Sequence, residues 1–326
     1  MTKLIIQIPC YNEEEFLPVT LADLPDRIPG VDEIEILVID DGSADSTAKV
    51  AKENGVHHVV SLPAHKGLAT AFMVGVDTAL SLGASIIVNT DADNQYNAAD
   101  IEKLVAPILS GDADMVVGAR PISDIQHFSP IKKVLQRFGS AVVRFASGTT
   151  VPDAPSGFRA ISANAAMELN VFNPHTYTLE TLIQAGHKGM TVKSVSIRVN
   201  RELRPSRLIS SNFSYIMRSF STIIRIFMLY SPMKFFFILG AIPFTAGFLL
   251  GVRWLINVYI VADPGRTYVP SLIIASVLVM LGFQIGILGL VADLMAANRK
   301  ILEEIRLRIR HNGQNSRHSA NRKSIE

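Results

Sequence analysis

Hydrophobic residues run at two densities along this chain. From Met1 to about Asn200 they form short runs between charged stretches, whereas from Met233 to Ala297 they form two long runs with a brief polar break. In the first part, residues 4–8, 34–39 and 85–89 are rich in β-branched residues and almost continuously apolar. That pattern suits strands buried on both faces of a parallel sheet. Residues 13–24 and 46–54 have helical character, with Gly55 as a stop, and a further strand is expected near 58–62. Residues 66–82 predict a helix ended by Gly83, residues 115–117 another strand, and residues 192–199 a strand closing one edge of the sheet. The alternation predicts a doubly wound α/β sheet.

The second part predicts a membrane hairpin. Residues 235–257 and 269–294 each supply the ~20 apolar positions that a spanning helix requires, and residues 262–266 form the turn between them. Arg218, Arg225 and Lys234 precede the hairpin, and Arg299, Lys300, Arg306, Arg308 and Arg310 follow it. Positive charge on both flanks places both termini in the cytosol. Residues 214–230 carry Arg218 and Arg225 one heptad apart among apolar neighbours, the pattern of an interfacial amphipathic helix. Residues 131–145, with Lys132, Lys133, Arg137 and Arg144, fit either an interfacial helix or a packed surface. Gly247-x-x-x-Gly251 and Gly282-x-x-x-Gly286 allow close helix contact within the hairpin or in a homo-oligomer. The polar, basic tail from His311 is expected to be disordered.

Composition adds limits. The chain is 48% hydrophobic and 18% charged, and its net charge of +2 gives no general basis for nucleic-acid binding. The single cysteine, Cys10, excludes an intramolecular disulfide and is expected to be buried. The apolar start at residues 4–8 lacks the features of a signal peptide, so the front domain is expected to stay in the cytosol.

In doubly wound sheets, ligands bind beyond the carboxyl ends of the strands. Here those ends are polar: Pro9-Cys10-Tyr11-Asn12-Glu13, Asp40-Asp41-Gly42-Ser43, Pro63-Ala64-His65-Lys66-Gly67 and Asp91-Ala92-Asp93. Asp91 and Asp93, spaced i and i+2 where the chain leaves a strand, suit a hard cation, Mg²⁺ or Mn²⁺, and the diphosphate it carries; Gln95 adds a neutral oxygen. Asp40 could accept from a uracil imide or a ribose hydroxyl, while residues 43–47 cap the next helix. Lys66 and free N–H groups at a helix start could hold phosphate.

Together these segments resemble the family 2 glycosyltransferases, which use the GT-A nucleotide-sugar fold. The resemblance covers about the first half of the chain. It implies nucleotide-sugar contacts for Pro9, Tyr11, Asn12, Glu13, Asp40, Asp41, Lys66, Asp91 and Ala92, and metal or diphosphate binding for Asp91, Asp93 and Gln95. Val116-Val117-Gly118-Ala119-Arg120 and Asp153-Ala154-Pro155-Ser156-Gly157-Phe158-Arg159-Ala160 are similar to dolichol-phosphate mannosyltransferases and bacterial polyprenyl-phosphate glycosyltransferases. Arg201-Glu202-Leu203-Arg204-Pro205-Ser206-Arg207 is similar too, although Arg204 stands where that family often has glycine and Arg207 where it has lysine.

The resemblance implies a lipid-phosphate acceptor, and arginine suits one because guanidinium grips phosphate bidentately. Arg120, Arg137 and Arg201 are the candidates, with Ser206 and Arg207 beside them; Asp93 and the three arginines form the expected catalytic set. An acceptor phosphate is already anionic, so in-line displacement with inversion needs positioning more than a base. Asp153 and Glu180 are weaker candidates for a base or a sugar contact, and Glu180 also suits a helix start.

The two-helix carboxyl hairpin is similar to that of bactoprenol glucosyltransferases. This implies UDP-glucose as donor, undecaprenyl phosphate as acceptor and the inner membrane as location. GDP-mannose or a UDP-N-acetylhexosamine is the alternative donor. A processive polysaccharide synthase would carry Gln-x-x-Arg-Trp, but Arg253-Trp254 follows Leu250 inside an apolar run. A non-catalytic nucleotide-binding membrane module is the reading from another class. The expected division is a GT-A domain over 1–207, an interfacial segment over 208–232, a hairpin over 233–297 and a basic cytosolic tail over 298–326.

Overall fold

The computed structural model describes residues 1–121, 147–171, 177–200, 231–261 and 269–323, with positions 140, 141, 143, 144, 224, 225 and 228. The chain forms two compact units, residues 1–220 with 306–326, and residues 221–305.

The first unit is built on a seven-stranded sheet. Its strands are β1 (Lys3–Cys10), β2 (Glu33–Asp40), β3 (His58–Ser61), β4 (Ile86–Asn89), β5 (Met115–Ala119), β6 (Arg159–Ser162) and β7 (Val192–Ser196), in the order β3-β2-β1-β4-β6-β5-β7. The first four pair parallel with one another, as expected from their apolar runs; Leu4, Ile6, Ile8, Leu37, Val38 and Val88 are fully buried. Strand β6, which the pattern of apolar runs did not predict, lies antiparallel between β4 and β5. Only four residues long, β6 contains a buried arginine, so it carries no hydrophobic run. Strand β7 closes one edge of the sheet, as expected, although it ends at Ser196 rather than Val199; it pairs parallel with β5.

The helices are α1 (Leu17–Ala22), α2 (Thr47–Glu53), α3 (Leu68–Ser81), α4 (Ile101–Leu109), α5 (Ala163–Glu168) and α6 (Thr178–His187). The first starts four residues later than its pattern suggested. Glu13 and Glu14 give their N–H groups to Thr47 Oγ1 and Asp45 Oδ2, and Pro18 sits in the first turn. Likewise α3 starts at Leu68, because Gly67 has φ of +93° and its N–H is bonded outside the helix. Gly55 and Gly83 end their helices with φ of +75° and +82°, the left-handed stop that glycine permits.

The second unit contains α7 (Pro232–Ile256), a π-helical turn (Asn257–Val261) and the front of α8 (Val269–Lys323). Spans Pro232–Tyr259 and Val269–Asn298 have mean hydropathies of 2.1 and 2.4 and are long and apolar enough to cross a membrane. Only 11% and 17% of them is buried, so most of their apolar surface faces outward.

Small residues let the two helices touch. A Cβ on Gly240 would stand 2.7 Å from Gly282 O, and one on Gly247 2.7 Å from Ala275 O; Gly289 lies under Phe236. The small contact residues, Gly240 and Gly247 on one helix and Ala275, Gly282 and Gly289 on the other, therefore repeat every seven positions. Among the described residues Gly251 and Gly286 have nothing within 4 Å, so the contact within the hairpin does not use the four-residue spacing. Helix α8 continues past His311 to Lys323.

Candidate active site

At the carboxyl ends of β1, β2 and β3, three loops fasten one another. Asn12, with φ of +55°, donates its N–H to Ser43 Oγ at 2.9 Å, and its Oδ1 accepts from the Ala44 N–H at 2.8 Å. Glu14 Oε2 accepts from the Ser46 N–H at 2.8 Å. Asp40 Oδ1 accepts from the Ser43 N–H at 3.0 Å. Pro9 is buried within β1, opposite Ile39, where its ring fixes φ. Asn12 is therefore a loop lock whose side-chain oxygen is already engaged, rather than the open contact expected from the motif.

Asp41 is also revealed as a clamp. Its two oxygens accept from the Lys66 and Gly67 N–H groups at 2.8 Å each, and His65 Nδ1 lies 2.8 Å from Oδ2. A Cβ on Gly42 would stand 2.6 Å from the Ala64 carbonyl carbon, so only glycine lets these loops approach. The Lys66 and Gly67 N–H groups, just before the helix start, are thus bonded to Asp41, while the exposed Lys66 side chain extends from the same turn. The Tyr11 ring stacks on His65 with centroids 3.9 Å apart.

The acidic segment follows β4. Thr20 on α1 donates to Ala92 O at 2.7 Å, Asn94 Nδ2 to Asp23 Oδ2 at 2.8 Å, and Asn200 Nδ2 to Asn94 O at 3.0 Å. The Asn200 N–H bonds Gln95 O at 2.9 Å. Asn94 turns the chain with φ of +53°. Asp93 Oδ1 accepts from the Gln95 N–H at 3.2 Å. Asp91 projects beside Gly157, where a Cβ would stand 3.0 Å from its Oδ1.

Burial pushes the Asp91 carboxyl up to about 7, and the negative charge of Asp93 adds to this; Arg120 and the Tyr96 hydroxyl oppose it. Two carboxylates held close enough to repel, at the open end of a sheet, fit a divalent cation that would neutralise both.

A polar network that the motifs did not disclose lies beneath Asp91. Gln7 and Asn89, paired across β1 and β4, are joined by a 2.9 Å bond from Gln7 Nε2. Asn89 Nδ2 reaches Gly157 O and Tyr177 Oη, both at 2.9 Å. Tyr96 Oη accepts from the Gly157 N–H at 3.2 Å and is hydrogen-bonded to Asp91. Fully buried Arg159 donates to the carbonyls of Ser156, Thr178 and Ala154 and to Thr181 Oγ1. Burial lowers its guanidinium to about 10. A lone arginine in an otherwise apolar strand was the available sequence signal.

Arg120 bonds Asp153 through Nε at 2.8 Å and Nη2 at 3.1 Å, with its backbone N–H at 3.2 Å. This bidentate pair corrects two expectations: Arg120 is not an open fork for phosphate, and fully buried Asp153 is not a base facing substrate. Glu180 is buried in the first turn of α6, the helix-start position expected for it. Arg137, Arg201, Ser206 and Arg207 lie outside the described residues.

Residues 5–169 match the family model described as Glycosyl transferase family 2, and the chain belongs to that family. An undecaprenyl-phosphate mannosyltransferase of Micrococcus luteus is 30% identical over 62% of this chain and 85% of its own length. A UDP-N-acetylglucosamine–dolichyl-phosphate N-acetylglucosaminyltransferase of Methanococcus voltae is 32% identical over 50% of this chain and 70% of its own. Such relatives support placing this glycosyltransferase in the polyprenyl-phosphate group. The glucosyl-3-phosphoglycerate synthase of Mycobacterium tuberculosis, solved with Mn²⁺, UDP and glucosyl-3-phosphoglycerate, shares the GT-A fold. Its TM-score is 0.52 and its identity 22%, over 70% of this chain and 79% of that one.

Proposed function

We propose that this protein transfers a sugar from a nucleoside-diphosphate sugar to polyprenyl phosphate, with glucose, UDP-glucose and undecaprenyl phosphate as the favoured set. The observation carrying this reading is the repelling Asp91–Asp93 pair at the same carboxyl end of the sheet as the fastened loops of β1, β2 and β3. Tyr11, Glu13, Asp40 and Lys66 meet the nucleotide there. Asp91 and Asp93, with Gln95, would hold Mg²⁺ or Mn²⁺, which supplies positive charge to a departing diphosphate. The neighbour solved with Mn²⁺ and UDP supports that choice.

The acceptor phosphate is its own nucleophile, so the site must align it rather than deprotonate it. Arg137, Arg201, Ser206 and Arg207 are proposed to bind it. Arg120 contributes fixed positive charge near Asp91 while Asp153 holds it still. Displacement at the anomeric carbon then proceeds with inversion. The two apolar helices suit a multi-pass inner-membrane protein, with the flanking arginines and lysines keeping the catalytic unit and both termini cytosolic.

The relatives' names also support mannose or N-acetylglucosamine as the transferred sugar. Membranes containing the protein, given undecaprenyl phosphate, Mn²⁺ and labelled UDP-glucose, UDP-N-acetylglucosamine or GDP-mannose, should yield a chloroform-extractable labelled lipid, most of it from UDP-glucose. Preference for another donor would replace glucose, and no lipid product with any donor would remove the transferase assignment.

A further inference from the structure

We propose that His65 is a positioning residue for the donor's nucleobase, forming with Tyr11 a two-ring platform against which the base stacks. The proposal rests on the nucleotide-sugar reading above and adds a residue to it. Tyr11 comes from the turn after β1 and His65 from the loop after β3, on either side of the β2 end. Their ring centroids are 3.9 Å apart with planes inclined by 28°, yet Tyr11 is 41% exposed and the His65 side chain 51% exposed. Two rings stacked this openly bury little for the fold.

The gap between them already has the van der Waals separation of a stack, so a third ring cannot enter it. A base meets the pair from outside. The ring of His65 is also the tethered member: its Nδ1 lies 2.8 Å from Asp41 Oδ2, and Asp41 is fixed by the Lys66 and Gly67 N–H groups. His65 therefore holds the orientation of Tyr11, whose ring completes the platform. Aromatic platforms suit nucleobases because every base presents a π-face.

The experiment separates ring from tether. Binding of UDP, GDP and inorganic pyrophosphate, each with Mn²⁺, is measured by calorimetry on the full-length detergent-solubilised protein. His65→Ala should weaken the preferred nucleotide by roughly 5- to 20-fold, within the range of base–aromatic stacking, and leave pyrophosphate within about twofold of wild type. His65→Phe, which keeps a ring but lacks Nδ1, should retain most nucleotide affinity. His65→Asn, which keeps a polar group for Asp41 but lacks the ring, should lose it as Ala does.

Equal loss of pyrophosphate would overturn the proposal in favour of a loop-folding role. So would full affinity in His65→Asn with loss in His65→Phe. A wild-type protein that binds neither nucleotide would remove the nucleotide-sugar reading together with the proposal. Normal wild-type binding with an indifferent His65→Ala would remove the platform alone.

Discussion

Gly157 has little room to change: a Cβ there would stand 2.8 Å from the Tyr177 hydroxyl as well as beside both Asp91 oxygens. Gly157→Ala is expected to displace the Asp91 carboxylate and lower kcat by on the order of tenfold or more, as small misplacements in an active site do. Steady-state kinetics with Mn²⁺ titration checks it; unchanged kinetics would show that Asp91 needs no such placement. Asp93→Ala should abolish lipid-linked product while membrane insertion persists, and full activity would remove the metal role. Arg159 poses a different problem, because its guanidinium satisfies three buried carbonyls and a hydroxyl. Arg159→Met leaves those acceptors unpaired and should cost about 3 kcal/mol in chemical denaturation, the scale for breaking a buried network.

Among the elements, the acidic segment depends on the chain after β7. Asp100, in the short 3₁₀ turn Ala98–Asp100, accepts from Arg198 N at 2.6 Å and Arg198 Nη2 at 2.8 Å, and Lys103 Nζ lies 2.8 Å away. Burial alone would raise its carboxyl, but bonds from Arg198 and Lys103 outweigh that and hold it at about 2. A carboxyl depressed on folding stabilises the protein above its ordinary value near 4, and that contribution disappears as pH falls through about 2. Thermal melting should therefore decline between pH 4 and pH 2, and Asp100→Asn should flatten this part of the decline while lowering stability at pH 7. An identical slope in the variant would assign acid sensitivity elsewhere. Helix α6 has its own constraint, since a Cβ on Gly186 would overlap the Ser147 carbonyl. Gly186→Ala should destabilise the first unit by about 1–3 kcal/mol through overpacking.

For the whole molecule, the hairpin contact is specific enough to test. Gly282→Leu drives a side chain into Gly240 O and Phe244, whereas Gly286 faces open space. Gly282→Leu should lower the melting temperature of the detergent-solubilised protein, and Gly286→Leu should leave it unchanged; equal effects would contradict this helix pairing. The proposed topology is separable from packing. Cys10 is the only cysteine and is buried, so it should contribute little background. Asp263→Cys, between the two spans in sequence, should react with an impermeant maleimide applied from the outer face. Labelling only from the cytosolic face would reverse the orientation.

The sequence by itself determined the elements whose environment repeats along the chain. Both-face burial marked β1, β2 and β4, and length with hydropathy marked the two spans, because these properties are local. It also placed Asp91 and Asp93 at a strand end. Tertiary structure decided what the local pattern does not encode: the antiparallel β6, the seven-residue spacing of the helix contact, and the division of polar side chains between open and occupied. Asn12, Asp41, Arg120 and Asp153 looked alike as strand-end or motif residues, but hydrogen bonds to distant backbone and charge occupy them. His65 and Tyr96 gained their significance from neighbours 54 and 61 positions away, Tyr11 and Gly157. A side chain's chemistry is written in its residue type; whether it remains available is set by the partners that folding brings to it.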